Sequence, residues 1–397
     1  MAEPAAVAAP LIPSRDLPRG AVVGLMGFLT LVDHFAAQAI LPMLASTYAV
    51  PPSAAGLAVN AGTLGMAISG LAVSLFAARL DRRRGIAVSL ALLSIPTALL
   101  AVAPDLATFA FLRATQGVFM AAAFTLTMTY LAERGGPNDT AAALAAYVTG
   151  VVASNLVGRL LSSAVADAFG LSANFAVFAA LNLAGAALVA LTLKPSMRMA
   201  PGCRPPQAPL AAWRQHLSTP GLKPAFGLGF IILFVFIGTF TYVNFELVRA
   251  PLMLSSLELG LVYFVFTPAL VTTPLAGRAA RRIGTRAAVI GSLAVALLAL
   301  PLLLAASLPA ILGGLVLMGV GTFFAQAAAT GYVGRTATSD RAAASGMYLT
   351  SYYCGGLAGA FVFGEVYDRA GWETCIAGFG LALLAGIALA TLMRDRR

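Results

Sequence analysis

Residues 224–247 read PAFGLGFIILFVFIGTFTYVNFEL, an apolar run whose single charge, Glu246, stands beside its end. A membrane helix needs roughly 20 mostly apolar residues to cross about 30 Å of hydrocarbon. Eleven further stretches of this kind fill the chain: 21–45, 54–79, 85–103, 106–131, 142–166, 172–193, 257–278, 286–306, 309–333, 341–366 and 372–393. In lipid each backbone N–H and C=O must be bonded within its own segment, so runs of this length are helices. Alternation of the strand type is absent. The predicted fold class is all-α, a twelve-helix membrane protein.

Composition excludes a soluble domain. The 397 residues are 60% hydrophobic and 10% charged, where soluble domains carry roughly a quarter charged residues. A net charge of +10 raises nucleic acid as a partner, but the basic residues form no amphipathic face. They sit in the gaps between apolar runs, as Arg15, Arg19, Arg82, Arg83, Arg84, Lys194, Arg198, Arg281, Arg335 and Arg396 do, while the alternate gaps hold only Arg249 and Arg369. Basic loops stay on the cytoplasmic side, so both termini are expected in the cytoplasm. An even number of spans agrees. The bilayer is the expected partner, and a bacterial inner (plasma) membrane the expected location.

The longest polar gap, 194–223, contains six prolines and divides the spans six and six. Proline at that density resists a packed helix. The expected organisation is a cytoplasmic tail over 1–19, bundles over 20–193 and 224–393, a linker over 194–223 and a short tail over 394–397. The halves repeat each other. Tyr147, Gly158, Asp167 and Gly170 recur with identical spacing as Tyr348, Gly359, Asp368 and Gly371, and Leu41-Pro42-Met43-Leu44 recurs near Pro251-Leu252-Met253-Leu254. Parallel six-helix repeats place a central pathway where the halves meet.

Two loops and one span carry a further resemblance. Ala77-Ala78-Arg79-Leu80-Asp81-Arg82-Arg83-Arg84-Gly85 and Gly277-Arg278-Ala279-Ala280-Arg281-Arg282-Ile283-Gly284 are similar to the cytoplasmic Gly-x-x-x-Asp-Arg-x-Gly-Arg-Arg signature of the major facilitator superfamily. The first copy lacks the opening Gly and the second has Arg281 for Asp. Arg113-Ala114-Thr115-Gln116-Gly117 resembles the family's Arg-x-x-Gln-Gly motif. Gly150, Ser154, Asn155, Gly158 and Arg159 meet the antiporter signature in part, and together with the Tyr352-Tyr353-Cys354 run they look most like the sugar- and drug-efflux branch. The resemblance implies a carrier that works by alternating access as a monomer. It also implies a conformational latch built from Asp81 and Arg82, with Gly277, Arg282 and Gly284 at the second loop.

An ionisable side chain in mid-membrane costs roughly 2.5–3.5 kcal/mol on insertion scales, so it faces a partner or a wet cavity. Asp33 and His34 lie near the middle of the first span and Arg113 within the fourth. Asp33 aligns with Tyr242 and Arg113 with about Leu315 in the repeat, so the charge belongs to the first half. A proton switch follows as a hypothesis: ionised Asp33 is held by Arg113, and a proton or substrate that breaks the pair biases the two open forms. A static ion pair is the plain alternative. His34 stands beside one carboxylate with no second ligand set by spacing, so hydrogen bonding or packing outweighs metal binding there. Arg159 binds an anionic group of the substrate, snorkels outward, or pairs with Asp167 two turns on. Gln38, Asn60, Tyr242, Asn244, Glu246, Tyr348 and Tyr352 complete the candidate substrate contacts.

The chain has no Gly-x-x-x-x-Gly-Lys-Ser/Thr loop, so ATP is not the direct energy source, and a proton gradient takes its place. Cys203, Cys354 and Cys375 have no metal-ligand spacing and are expected as free thiols. No metal or other cofactor is expected. His34 and His216 give no metalloprotease pair, which argues against an enzyme. The expected function is proton-coupled export of a small molecule such as a drug, sugar or related metabolite. A facilitator or importer of the same fold, an exporter of a metal or its chelate, and a non-transporting receptor are the alternatives.

Overall fold

The computed structural model describes residues 19–76, 81–134, 137–194, 209–337 and 341–393. The expected tails over 1–18 and 394–397, and the linker residues 195–208, lie outside the described residues. Among the described residues the chain forms twelve long helices, eleven of them within stretches long and apolar enough to cross a membrane. They are α1 (Arg19–Ala39), α2 (Pro52–Phe76), α3 (Arg82–Leu100), α4 (Leu106–Arg134), α5 (137–169), α6 (171–192), α7 (Leu222–Leu247), α8 (Ser256–Ile283), α9 (Thr285–Leu303), α10 (Leu308–Thr336), α11 (341–370) and α12 (372–391). The proline-rich segment is not wholly extended, since Pro209–Ser218 forms a short helix. Pro209 takes the first helical position, where an orphan N–H would otherwise stand.

The expected loops 167–171 and 367–371 shrink to one residue each. Helix continues to Gly170, which adopts φ 82°, ψ 173°, and resumes directly; Gly371 does the same at φ 77°, ψ −178°. This region of backbone space is open essentially to glycine alone. Neighbouring contacts prove that the chain reverses there. Gly150 and Gly158 of α5 abut Gly24 and Val32 of α1, while Asn182 and Gly185 of α6 meet Asp33 and Leu29. Thus α5 runs with α1 and α6 runs against it. The second half repeats this: Gly355 and Gly359 of α11 abut Phe230 and Phe234 of α7, and Gly386 of α12 faces Ile231. Replacing Gly371 by alanine is expected to cost about 1–3 kcal/mol and to lower the thermal midpoint of the detergent-purified protein. An unchanged midpoint would show that the turn tolerates a side chain.

These contacts also correct the repeat register. Gly158 meets Val32 where Gly359 meets Phe234, so Asp33 corresponds to Val235 and not to Tyr242. The loop motif at 251–254 misled the alignment because the two first-span loops differ in length.

Helix α8 is irregular for a readable reason. Pro268 and Pro274 each remove a backbone donor, and the segment tightens into 3-10 turns over Tyr263–Phe266 and Thr273–Leu275. Its start is a capping box, Ser255 with Glu258. Asp105 precedes α4 and accepts the Thr108 N–H at 2.7 Å, which holds its carboxyl below the usual carboxylate range.

The halves join unequally. At the end carrying Gly170 and Gly371, one apolar cluster contains Ile40, Leu41 and Val59 of the first half together with Val235, Ile237 and Phe240 of the second. There the Ser53 N–H points to Asp368 Oδ2 at 3.4 Å, and the Ser163 hydroxyl donates to the Ser256 carbonyl. Toward the Asp81 end, the first half has its own cluster around Met26, Leu90 and Tyr147, and only Tyr353 reaches it from the second. Among the described residues, therefore, one apolar cluster spans the seam toward the Gly170 end, while toward the Asp81 end the halves meet through Tyr353 and through Gly70 of α2 facing Gly346 and Thr350 of α11.

Candidate functional site

Two polar centres occupy the interior. The first surrounds Asp33, which is 4% exposed. Its Oδ2 accepts from Asn182 Nδ2 at 2.6 Å, Thr97 Oγ1 at 3.0 Å and, more weakly, Gln116 Nε2 at 3.5 Å. Helices α3, α4 and α6 thus each send a donor to α1. A cavity of about one water's size lies against Asp33, Arg113, Gln116 and Asn174.

Arg113 is beside this centre, but the expected ion pair is not how it is held. Its Nε donates to the Val59 carbonyl at 3.1 Å and Nη2 to the His34 carbonyl at 2.9 Å. Its Nη1 donates to the main-chain oxygen of Asp33 at 3.3 Å and to Gln116 Oε1 at 2.7 Å. The guanidinium fork is spent on backbone carbonyls of α1 and α2, whose fixed positions suit its five donors. Gln116 couples it to the carboxylate indirectly, since its amide donates to Thr97 Oγ1 at 2.6 Å. The Arg-x-x-Gln spacing is what puts both side chains on one face of α4.

The second centre surrounds Arg159, which is 0% exposed. It neither snorkels nor pairs with Asp167. Its Nη1 donates to Asn155 Oδ1 and its Nη2 to Gln38 Oε1. The guanidinium carbon lies 4.1 Å from the ring centroid of Tyr263 and 4.9 Å from those of Phe35 and Phe266. In a 3-10 turn side chains three apart eclipse, and so Tyr263 and Phe266 stack with centroids 5.9 Å apart on the side facing Arg159. Ring faces favour a desolvated cation by about 2 kcal/mol, which offsets part of the mid-membrane cost. Gln38 is fixed in turn by donating to Asn60 Oδ1 at 3.1 Å, and Asn60 donates to Thr241 Oγ1 of α7 at 3.1 Å. Tyr263 donates to Asn244 Oδ1 at 2.9 Å. Of the sequence candidates, then, Gln38, Asn60, Asn244 and Arg159 converge on one network across the seam.

The remaining candidates lie elsewhere. Tyr242 is buried, donates to the Ala360 carbonyl and stacks on Tyr367 at 5.5 Å. Glu246 pairs with Arg249 at 3.2 Å and accepts from Tyr367 at 2.6 Å, a cluster at the Gly170 end. Tyr348 donates to Gln326 Oε1 at 2.7 Å and stacks on Tyr352 at 6.4 Å. His34 stands with Phe35 edge to face at 4.3 Å, and its Nδ1 has no hydrogen-bond partner. No group of three potential metal ligands occurs among the described residues. Thr97, Asn182 and Tyr263 were missed by sequence reasoning, and Asn155 was read only as part of the antiporter-like signature.

At the loops, the Asp81 carboxylate accepts the Arg84 N–H at 2.8 Å and caps α3. Gly284 takes the equivalent position before α9 at φ 87°. Arg82 is buried, Arg282 is exposed and Gly277 is half-buried in the last turns of α8. Cys354 and Cys375 are free thiols, and Cys203 lies outside the described residues.

Known proteins share this fold. The inner membrane transport protein YnfM of Escherichia coli is 26% identical over 370 residues, 93% of this chain and 89% of the relative. The MFS-type transporter YybF of Bacillus subtilis is 24% identical over 340 residues, 86% of this chain and 83% of the relative. Among solved structures, a bacterial homologue of the human lysosomal transporter Spinster, inward-facing and unoccupied, superposes with TM-score 0.72 at 16% identity, covering 96% of this chain and 95% of that one. The nucleoside transporter NupG gives TM-score 0.74 at 14% identity, covering 95% and 99%. With the family profile matching residues 23–257 and 245–397, the chain belongs to the Major Facilitator Superfamily.

Proposed function

We propose that this membrane transporter is a proton-coupled exporter of a small molecule, with Asp33 as its proton site. The observation that carries the reading is a carboxylate buried in the first half and held by neutral side-chain donors, with Arg113 bonded around it and not to it. Such a group can gain or lose a proton without dismantling the helix packing. Thr97 is suited to report the change. Its hydroxyl lies 3.0 Å from Asp33 Oδ2 and 2.8 Å from the Leu93 carbonyl, and it has one proton to give. With Asp33 ionised the hydroxyl serves the carboxylate; with Asp33 protonated it turns to Leu93 and its oxygen accepts from the acid, displacing one of the two amides that otherwise fill its lone pairs. Gln116 and Asn182 both touch that oxygen, the latter at 3.1 Å, so the switch is transmitted to α4 and α6.

Alternating access supplies the rest. The halves share a continuous apolar core toward the Gly170 end, while toward the Asp81 end α2 and α11 meet through small residues, Gly70 facing Gly346 and Thr350, a contact that can part when a pathway opens there. Asp81, Arg82, Gly277, Arg282 and Gly284 form the latch that engages when the Asp81 end closes. Export is the direction that the antiporter-like signature in α5 supports. No resident cofactor takes part, and a single chain suffices because both halves of the site lie within it. The test is solute flux in proteoliposomes under an imposed pH gradient, read together with an internal pH dye. Solute movement that drives, and is driven by, protons is the expected result. Flux indifferent to the gradient in both directions would overturn proton coupling.

A further inference from the structure

Arg159 is a buried cation whose charge no acidic side chain cancels among the described residues. Among the described residues its two hydrogen-bond acceptors, Asn155 Oδ1 and Gln38 Oε1, are neutral, and its Nε–H has no acceptor. Its other neighbours are rings. The carboxylate of Asp33 is already taken by Asn182, Thr97 and Gln116 and shares its surroundings with Arg113. The centre of the molecule thus holds two guanidiniums and one carboxylate, a formal surplus of one positive charge. An orphan donor on a buried guanidinium is an unusual feature unless something else completes it.

We infer that Arg159 and its ring cage bind the anionic group of the transported solute, and that this solute is an amphipathic organic monoanion, a carboxylate on an apolar or aromatic body. The unpartnered Nε–H offers one charge-assisted hydrogen bond, and the guanidinium neutralises one negative charge. A dianion would leave the surplus reversed, so single charge is the better match. The apolar body has a surface prepared for it. Phe35 of α1 is half-buried and lies 6.1 Å from Phe236 of α7, and Phe236 lies 5.2 Å from half-buried Phe323 of α10. Rings from both halves therefore continue from the cage along the seam. Occupancy is also felt by both halves, because Gln38 leads through Asn60 to Thr241 and Tyr263 leads to Asn244. This inference rests on the carrier reading, though on neither its direction nor its coupling ion.

The test is binding to the full-length protein in detergent, by calorimetry at fixed pH, with 4-phenylbutyrate and decanoate as probes against their neutral amides. The acids should bind at least about tenfold more tightly than the amides. Arg159→Gln should abolish that preference, and Arg159→Lys should restore part of it because the charge returns without the fork. Equal affinity for acid and amide, or no acid-specific binding up to about 10 mM, would overturn the inference in the unaltered protein, whatever the variants do. A preference surviving in Arg159→Gln would move the anion site elsewhere. The two readings fail separately: acid-specific binding without flux in vesicles defeats the carrier, and proton-coupled flux of neutral solutes alone defeats the anion site.

Discussion

Replacing Asp33 by asparagine is expected to leave a folded carrier that equilibrates its solute but no longer concentrates it under an imposed pH gradient. The side chains have nearly the same shape, and the donors that meet Oδ2, Asn182 and Thr97 above all, can meet an amide oxygen equally well. The new amide group takes the place of Oδ1, and the residue lines a water-sized cavity together with Asn174. Arg113 keeps all its bonds, because they go to the carbonyls of Val59, Asp33 and His34 and to Gln116. What is lost is the exchangeable proton. One proton per solute across one pH unit is about 1.4 kcal/mol, roughly a tenfold concentration ratio. That ratio should fall to one in Asp33→Asn while solute counterflow persists. Uphill transport at the parent level in this variant would place the proton site elsewhere.

The spans were legible because the bilayer leaves so little choice. A run such as 224–247 cannot be a loop or a strand in hydrocarbon, and α7 begins within two residues of the expected boundary. The paired glycines at 170 and 371 were visible as a repeat, but not as one-residue reversals, since nothing in spacing says that Gly170 will stand at positive φ with helix on both sides. Charge was equally legible. Asp33, Arg113 and Arg159 stood out because ionisable groups are costly in lipid, and all three are buried. Their partners were not. Thr97, Asn155 and Asn182 are uncharged residues of modest cost, and whether they face one another depends on helix rotation, which sequence alone does not give. Asn182 did carry a signal, as one of few polar side chains in 172–193. Tyr263 owes its place to the 3-10 turn ahead of Pro268, a local irregularity that hydropathy does not register.

The Arg-x-x-Gln-Gly stretch has a steric half as well as a polar one, and Gly117→Val should expose it. A Cβ at Gly117 would overlap the Gly62 carbonyl oxygen and sit 3.0 Å from the Met66 nitrogen, and one at Gly65 of α2 would overlap the Ala114 carbonyl. Helices α2 and α4 therefore meet backbone to backbone, an approach that small residues alone allow in a membrane. Two branches at 117 must push them apart. Overpacking of this kind costs about 1–3 kcal/mol, and here the displacement falls on the proton site. Arg113 reaches Val59 of α2 at 3.1 Å, and Gln116 reaches Thr97 of α3 at 2.6 Å, both from the turn that Gly117 closes. We expect Gly117→Val to lower the thermal midpoint and to weaken proton-driven flux together, with Gly117→Ala intermediate in both. Phe111→Leu, on the lipid-facing side of the same helix at 69% exposure, should change neither. A Gly117→Val protein as stable and as tightly coupled as the parent would show that the two helices can separate without disturbing Arg113, and that the glycine of this motif has no part in holding the site.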